Sequence, residues 1–343
     1  MREAGTGKKV LAAVHAAPVF MQTDATIDKV VDFIREGGRQ GVRFMVFPEV
    51  FVPGYPHWLN GYSPSAAVEA NVRYASASVE APGPEISRVQ EACRGAKVAT
   101  ALGVSERMPG ARTCFNTQVF IDSDGAYLGK HRKLAPTYAE KMVWAQGSGA
   151  TLRLFRSRIG VVGGLVCSEN VLCGAWQTYI DQHQQIHASA WPAISAQRGR
   201  ANFDDVIESM ARSHAYGAQV FVITSSSFVS QDIMAWMTEN LGPPDHLQLG
   251  GSWSAITHPY STHLAGPASG VGDRLLVAEA DLGDLDRGWL LLDGAGHCAR
   301  PEVVRTQIKS HPIWADEVAS GLSDSDRTQD APPGSDISPS ETA

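Results

Sequence analysis

The chain has 343 residues, 43% of them hydrophobic, enough to bury the core of one large α/β domain or two smaller ones. Its net charge of −7 comes mainly from residues 316–343, where seven acids face Arg327 alone, so the rest is near neutral and offers nucleic acid no basic field. Five cysteines, odd in number and widely scattered, argue against a disulfide framework, and no apolar run has the length of a membrane span.

Residues 9–16 read as a first strand. The stretch from Val10 to Met21 contains His15 and Pro18 and lacks the layout of a signal peptide, so a cytoplasmic, soluble protein is expected. Residues 25–38 carry Ile27, Val30, Val31 and Ile34 at helical spacing, with Asp24 as the expected N-cap and Gly37-Gly38 as the stop. A second strand over 42–47 is apolar except for Arg43, as suits a strand covered on both faces. Helices are predicted at 63–79 and 84–93, and strands at 97–105 and 114–121. The turn Asp122-Ser123-Asp124-Gly125 then leads into a strand at 126–130.

Short strands at 152–155 and 159–166 come next, then a helix at 176–185, a strand at 186–191 and a helix at 203–216. Strands at 220–224, 252–257 and 275–280 complete the set, and residues 303–308 are expected to extend away from the core. This alternation, interrupted by hairpins, is a layered α/β pattern. Residues 316–343 are rich in Ser, Pro and Gly and nearly free of large apolar side chains, which predicts a disordered acidic tail after a domain of residues 1–315.

Three predicted strands end in reactive side chains. The run from Arg158 delivers Cys167 to its tip, residues 42–47 run into Pro48-Glu49, and Lys133 follows the strand after Gly129. A thiol, a carboxylate and an amine at strand ends form a set suited to covalent acyl chemistry. Singly, each has an ordinary reading: a core cysteine, a turn-capping glutamate, a lysine on a solvated face. Other candidates are weaker. His183 and His187 mimic a zinc-binding helix face, but Gln184 stands where the general base belongs, and no metal is expected.

Taken together, Phe47-Pro48-Glu49, the block from His131 through Lys133, Pro136 and Thr137 to Glu140, and Cys167-Ser168-Glu169-Asn170 resemble the three catalytic blocks of the nitrilase superfamily of carbon–nitrogen hydrolases, on its nitrilase branch. Ala190-Trp191-Pro192 and the segment from Asp293 through His297 to Glu302 fit as well, and the resemblance spans residues 8–310. It implies a four-layer α-β-β-α sandwich, with Cys167 as nucleophile, Glu49 as general base, Lys133 as the cation that steadies the intermediate, and Glu140 supporting Lys133. It implies hydrolysis of an organic nitrile by water to the acid and ammonia, without a cofactor. Cyanide hydration or amide release on the same fold are the alternatives, and an aliphatic amidase a remoter one.

Tyr55, His57, Trp58, Trp144, Ser168, Glu169 and Trp191 are the substrate-pocket candidates. The family commonly has an aromatic residue where this chain has Ser168, which leaves room for a sizeable substrate. Related proteins form homo-oligomers, dimers that extend into spirals, and residues 294–315 resemble their C-terminal arm. No nucleic acid or membrane partner is expected.

Overall fold

A computed structural model describes residues 7–199 and 203–319. The strands of the first half are β1 (Lys8–His15), β2 (Phe44–Val46), β3 (Ala99–Arg107), β4 (Cys114–Ile121) and β5 (Tyr127–Arg132). Those of the second are β6 (Phe155–Ser157), β7 (Gly160–Val166), β8 (Ile186–Trp191), β9 (Phe221–Ser226), β10 (Trp253–Thr257), β11 (His263–Ser269) and β12 (Arg274–Asp281). Around them lie α1 (Thr23–Arg39), α2 (Val68–Ala77), α3 (Pro84–Ala96), α4 (Cys173–Asp181), α5 (Phe203–Ala218), α6 (Gln231–Leu241), α7 (Gly283–Leu291) and the short α8 (Ala315–Ala319).

Two six-stranded sheets result, ordered β12-β1-β2-β3-β4-β5 and β11-β10-β9-β8-β7-β6. Strand β1 explains the layering, because its side chains alternate between faces. Ala12 and Val14 point outward into a core shared with Ile27, Val30 and Ile34 of α1 and Ile86 and Val89 of α3. Leu11 and Ala13 point inward to a second core shared with Val162, Ile186, Phe221 and Ile256 of the other sheet. Phe120 and Phe155 stack at 4.6 Å in that inter-sheet layer. Ile207, Ala211 and Ala215 of α5 cover the far face of the second sheet. The result is the four-layer α-β-β-α sandwich.

Strand direction places the site. Strand β2 runs parallel to β1 and β3, while β4 and β5 follow as antiparallel neighbours, so β5 runs the same way as β2. Residues leaving the C-terminal ends of β2 and β5 therefore emerge on one edge of their sheet. Strand β7 is parallel to β8, and β8 to β9, so the thiol-bearing strand sits in a parallel block of its own.

Several local expectations change. Asp24 lies inside α1; the N-cap is Gln22, whose carbonyl accepts the Thr26 hydroxyl at 2.8 Å. Gly37 and Gly38 do not stop α1. They let it pack closely: a methyl at Gly38 would lie 2.8 Å from the Ala96 Cβ of α3, and one at Gly37 would run into Met45. Helix α6, capped by the Ser230 hydroxyl on the Ile233 amide, was not anticipated, nor were β11 and α7. Disorder from residue 316 onward does not hold at its start. Asp316 and Glu317 belong to α8 and pair with buried Arg132, a charge the pattern of the tail alone could not reveal. The remainder of the expected tail, from residue 320, lies outside the described residues.

Candidate active site

Glu49 follows β2 on a segment that runs against β3, with the Phe47 amide bonded to the Ala101 carbonyl at 2.9 Å. Gly103 on β3 makes this approach feasible, since a methyl group there would strike the Pro48 carbonyl and the Val50 nitrogen. Lys133 follows β5 and donates its amide to the Asn116 carbonyl of β4 at 2.8 Å. Cys167 follows β7 and opens a short 3₁₀ turn, Cys167–Val171.

The lysine joins the two carboxylates. Lys133 Nζ donates to Glu49 Oε1 at 3.0 Å and to Glu140 Oε2 at 2.7 Å, and all three side chains are buried. Glu140 reaches back to Lys133 because residues 138–142 form a 3₁₀ turn that its own carboxylate caps, Oε2 accepting the Thr137 amide at 2.8 Å. Tyr55 Oη donates to the other oxygen, Oε1, at 3.1 Å. On Glu49, Oε1 also accepts Asn116 Nδ2 at 2.5 Å, whereas the buried Oε2 has no hydrogen-bond partner among the described residues.

These neighbours set the protonation states. Burial pushes the Glu49 carboxyl up to about 7, against the pull of Lys133. Burial also works to lower Lys133, but Glu49, Cys167 and Glu140 outweigh it and hold the ammonium well above its ordinary value. The Cys167 thiol is pushed well above its usual range by burial and by Glu49, opposed by Lys133. At neutral pH the resting site thus holds a thiol, an ammonium and a carboxylate poised near half-ionisation.

The thiol is presented by an unusual backbone. Cys167 has φ +51°, in the left-handed region that non-glycine residues seldom occupy, as do Val50 (φ 38°) and Tyr138 (φ 51°) beside the other two reactive segments. Asn170 secures the turn: its Nδ2 donates to the carbonyls of Cys167 (2.9 Å) and Leu165 (3.2 Å), and its Oδ1 accepts His187 Nε2 (2.9 Å) and Ser189 Oγ (3.1 Å).

The pocket candidates separate into groups. Tyr55 touches Glu140 directly and packs at 5.9 Å against Trp144, whose indole donates to Ser105. Ser168 is half-buried, its hydroxyl 2.5 Å from that of Thr137, so it links the lysine and cysteine loops at the edge of the site. The other four are buried in the surrounding framework. Trp58 is fully enclosed against Phe20, Tyr74 and Trp236, with its nitrogen given to Asn71. Trp191 is enclosed too, its indole bonded to Ser189. Glu169 cross-links the framework: its oxygens accept His131 Nε2 (3.0 Å), the Val166 amide (3.0 Å) and the Leu134 amide (2.6 Å), tying the ends of β5 and β7 together. Burial works against its charge, but His131, the Leu134 amide and Lys133 hold its carboxyl below the ordinary range. His57 is likewise buried, and desolvation lowers it to about 3.

Sequence reading missed Asn116. The signal was there, since Asn116-Thr117-Gln118 puts three polar residues in succession into β4, a strand whose every residue is buried.

The family model for carbon–nitrogen hydrolases matches residues 10–287. A nitrilase from Paraburkholderia phymatum is 35% identical over 88% of this chain and 86% of its own length. An aliphatic nitrilase from Rhodococcus rhodochrous is 34% identical over 88% and 80%. Among solved structures, a nitrilase-superfamily member from Saccharomyces cerevisiae superposes with a TM-score of 0.67 at 16% identity, covering 86% of this chain and 97% of that one. The chain belongs to the carbon–nitrogen hydrolase family, on its nitrilase branch.

The environment of Glu49 generates a direct test. Its carboxyl band, followed by difference infrared titration against a Glu49→Gln control, should titrate near 7. Lys133→Met should move that titration upward by removing the neighbouring cation. A Glu49 that titrates near 4 in the intact protein would overturn this description.

Proposed function

We propose that the protein is a nitrilase that converts an organic nitrile and two waters into a carboxylic acid and ammonia, with Cys167 as nucleophile, Glu49 as general base, Lys133 as the stabilising cation and Glu140 as its support. One observation carries the site assignment: Glu49 has one oxygen fixed by Lys133 and Asn116 and the other without a partner among the described residues. A carboxylate held in this way can accept a proton without losing its place.

Each step follows from this placement. Glu49 Oε2 takes the Cys167 proton as sulfur bonds to the nitrile carbon and passes it to the nitrile nitrogen, giving a thioimidate and restoring the Glu49 carboxylate. Lys133 stabilises the charge that develops on that nitrogen; its position between two carboxylates keeps it charged throughout. Glu49 then deprotonates a water that adds to the thioimidate carbon. Collapse of the tetrahedral species expels ammonia and leaves a thioester, which a second water hydrolyses to the acid, restoring the thiol.

The nitrilase relatives, 31–35% identical over most of the chain, favour this outcome over amide release. Ser168, small and half-buried at the edge of the site, supports a nitrile with a sizeable side chain. We also propose a cytoplasmic homo-oligomer. The cysteines are all free, no described helix is long and apolar enough to cross a membrane, and Val303, Val304 and Ile313 on the C-terminal segment are exposed. Elution of the purified chain at its monomer mass would refute the oligomer.

Wild-type enzyme should release ammonia and acid from phenylacetonitrile, and Cys167→Ala should lower that turnover by at least about a thousandfold, as for loss of a covalent nucleophile. Activity of that variant above about 1% of wild type would remove Cys167 from the reaction. Amide as the main product would overturn the nitrilase reading itself. Because Glu49 must be ionised to take the thiol proton, kcat/KM should fall about tenfold per pH unit below its midpoint near 7. A flat profile from pH 5 to 8, with chemistry shown to limit the rate, would exclude Glu49 as the base.

A further inference from the structure

We propose that Asp316 and Glu317 are positioning residues for the Lys133–Glu140 pair: the C-terminal segment straps the strand that carries Lys133 to the loop that follows Glu140. This rests on the catalytic roles assigned above.

The first attachment is electrostatic. Arg132, immediately before Lys133, is fully buried beside Lys130. Glu106 serves both cations. Its Oε1 accepts Arg132 Nη2 at 2.5 Å as well as Lys130 Nζ, and its Oε2 accepts Arg132 Nε at 3.0 Å and Thr117 Oγ1 at 2.8 Å. One carboxylate therefore faces two cations, with its oxygens already engaged. The C-terminal segment completes the balance. Asp316 Oδ1 accepts Arg132 Nη1 at 2.9 Å, its Oδ2 is shared by Arg132 Nη2 and Lys130 Nζ, and Glu317 Oε1 lies 3.5 Å from Nη1. Among the described residues, both acidic partners of Nη1 come from this segment. A buried guanidinium stripped of them is strongly disfavoured and would shift toward water.

The second attachment is to the loop after Glu140. Glu317 Oε2 accepts Ser148 Oγ at 2.7 Å and the amides of Ile313 and Trp314 at 3.1 and 3.2 Å. Trp314 Nε1 donates to the Gln146 carbonyl at 2.8 Å. Its ring meets Phe115 edge-on at 4.9 Å, and the Arg132 guanidinium lies over the same Phe115 ring at 3.8 Å. Gln146 and Ser148 flank Gly147, whose amide donates to the Lys133 carbonyl at 2.9 Å. A methyl at Gly147 would strike the Arg132 carbonyl, so the loop and the strand meet backbone to backbone. The strap thus grips both sides of the one backbone bond that the Lys133 carbonyl makes to this loop, and the same loop leads back to Glu140 through the Trp144 amide on the Glu140 carbonyl.

Displacing a catalytic group by about 1 Å can cost about a hundredfold in rate. The test uses the full-length Asp316→Asn/Glu317→Gln double variant, which keeps shape and removes charge. It should lose about tenfold or more in kcat with KM within about threefold, while iodoacetamide still alkylates Cys167 stoichiometrically and far-UV circular dichroism is unchanged. Asp316→Glu should retain most of the rate. A folded double variant with kcat within twofold of wild type overturns the proposal, as does a rise in KM alone. Should the double variant not fold, Ser148→Ala, which breaks the strap from the loop side, is read by the same criteria: a lowered kcat at constant KM supports the strap, and an unchanged kcat overturns it. Lys133→Met distinguishes the two failures, because wild-type turnover in that variant would remove the catalytic assignment and not the strap.

Discussion

One ammonium between two carboxylates, all three buried, is the constraint on which the rest of this structure depends. Lys133 cannot neutralise Glu49 and Glu140 together, so the group carries a net negative charge unless a proton is added. Burial places that proton's affinity on Glu49, at about 7. Removing one partner from a buried ionic set typically costs about 3–5 kcal/mol, so the set is held only where every other polar atom is satisfied. Asn116, Tyr55 and the Thr137 amide supply those bonds. Among the described residues they leave Glu49 Oε2 without a bond, and on that oxygen proton transfer from sulfur depends in the proposed mechanism.

Such a set has to be assembled by backbone alone, because long side chains free to choose would relax toward water. Parallel placement of β2 and β5 brings Glu49 and Lys133 to one edge. Glu169 then ties the β5 end to the thiol-bearing turn through His131, Leu134 and Val166. At Val50, Tyr138 and Cys167 the chain adopts left-handed φ, which costs on the order of 1–3 kcal/mol at each non-glycine residue. These turns are where the sequence rules of local propensity give way to tertiary demand. The offsetting stability comes from the inter-sheet and outer cores, where β1 alternates between two apolar layers.

Much of this was legible beforehand, and the reasons differ by element. Strands β4 and β8 matched their expected bounds: Asp122-Ser123-Asp124-Gly125 ends the first, and Pro192 follows the second. Helix α1 was legible from its apolar spacing, yet its end was misread because Gly37 and Gly38 serve close packing against Met45 and Ala96, a contact made by residues far along the chain. Helices α6 and α7 and strand β11 were passed over. Strand β11 holds Gly266 and Pro267 and its one large apolar side chain, Leu264, is exposed, so its identity comes from pairing with β10. The meeting of Glu49, Lys133 and Glu140 was legible through strand-end placement and family resemblance. The surroundings of Trp58, Trp191 and Glu169 were not, because a large ring or an acid beside a reactive block has the same appearance in sequence whether it lines a pocket or supports one.

The site's two sides differ in kind. Its back is closed: Asn116, Asn170, Glu169 and His187 have polar atoms engaged in buried bonds, so a change there disturbs the placement of Glu49, Lys133 or Cys167 before it affects any ligand. Its front is open: Ser168 is half-buried, and Tyr138, Val171 and Leu172 are exposed. A substitution at the front leaves no buried polar group without a partner, so it meets little energetic resistance. The C-terminal strap belongs to the back by this criterion, since its acids complete the charge around buried Arg132, and for that reason its first two acidic residues are ordered although the composition beyond them predicts disorder.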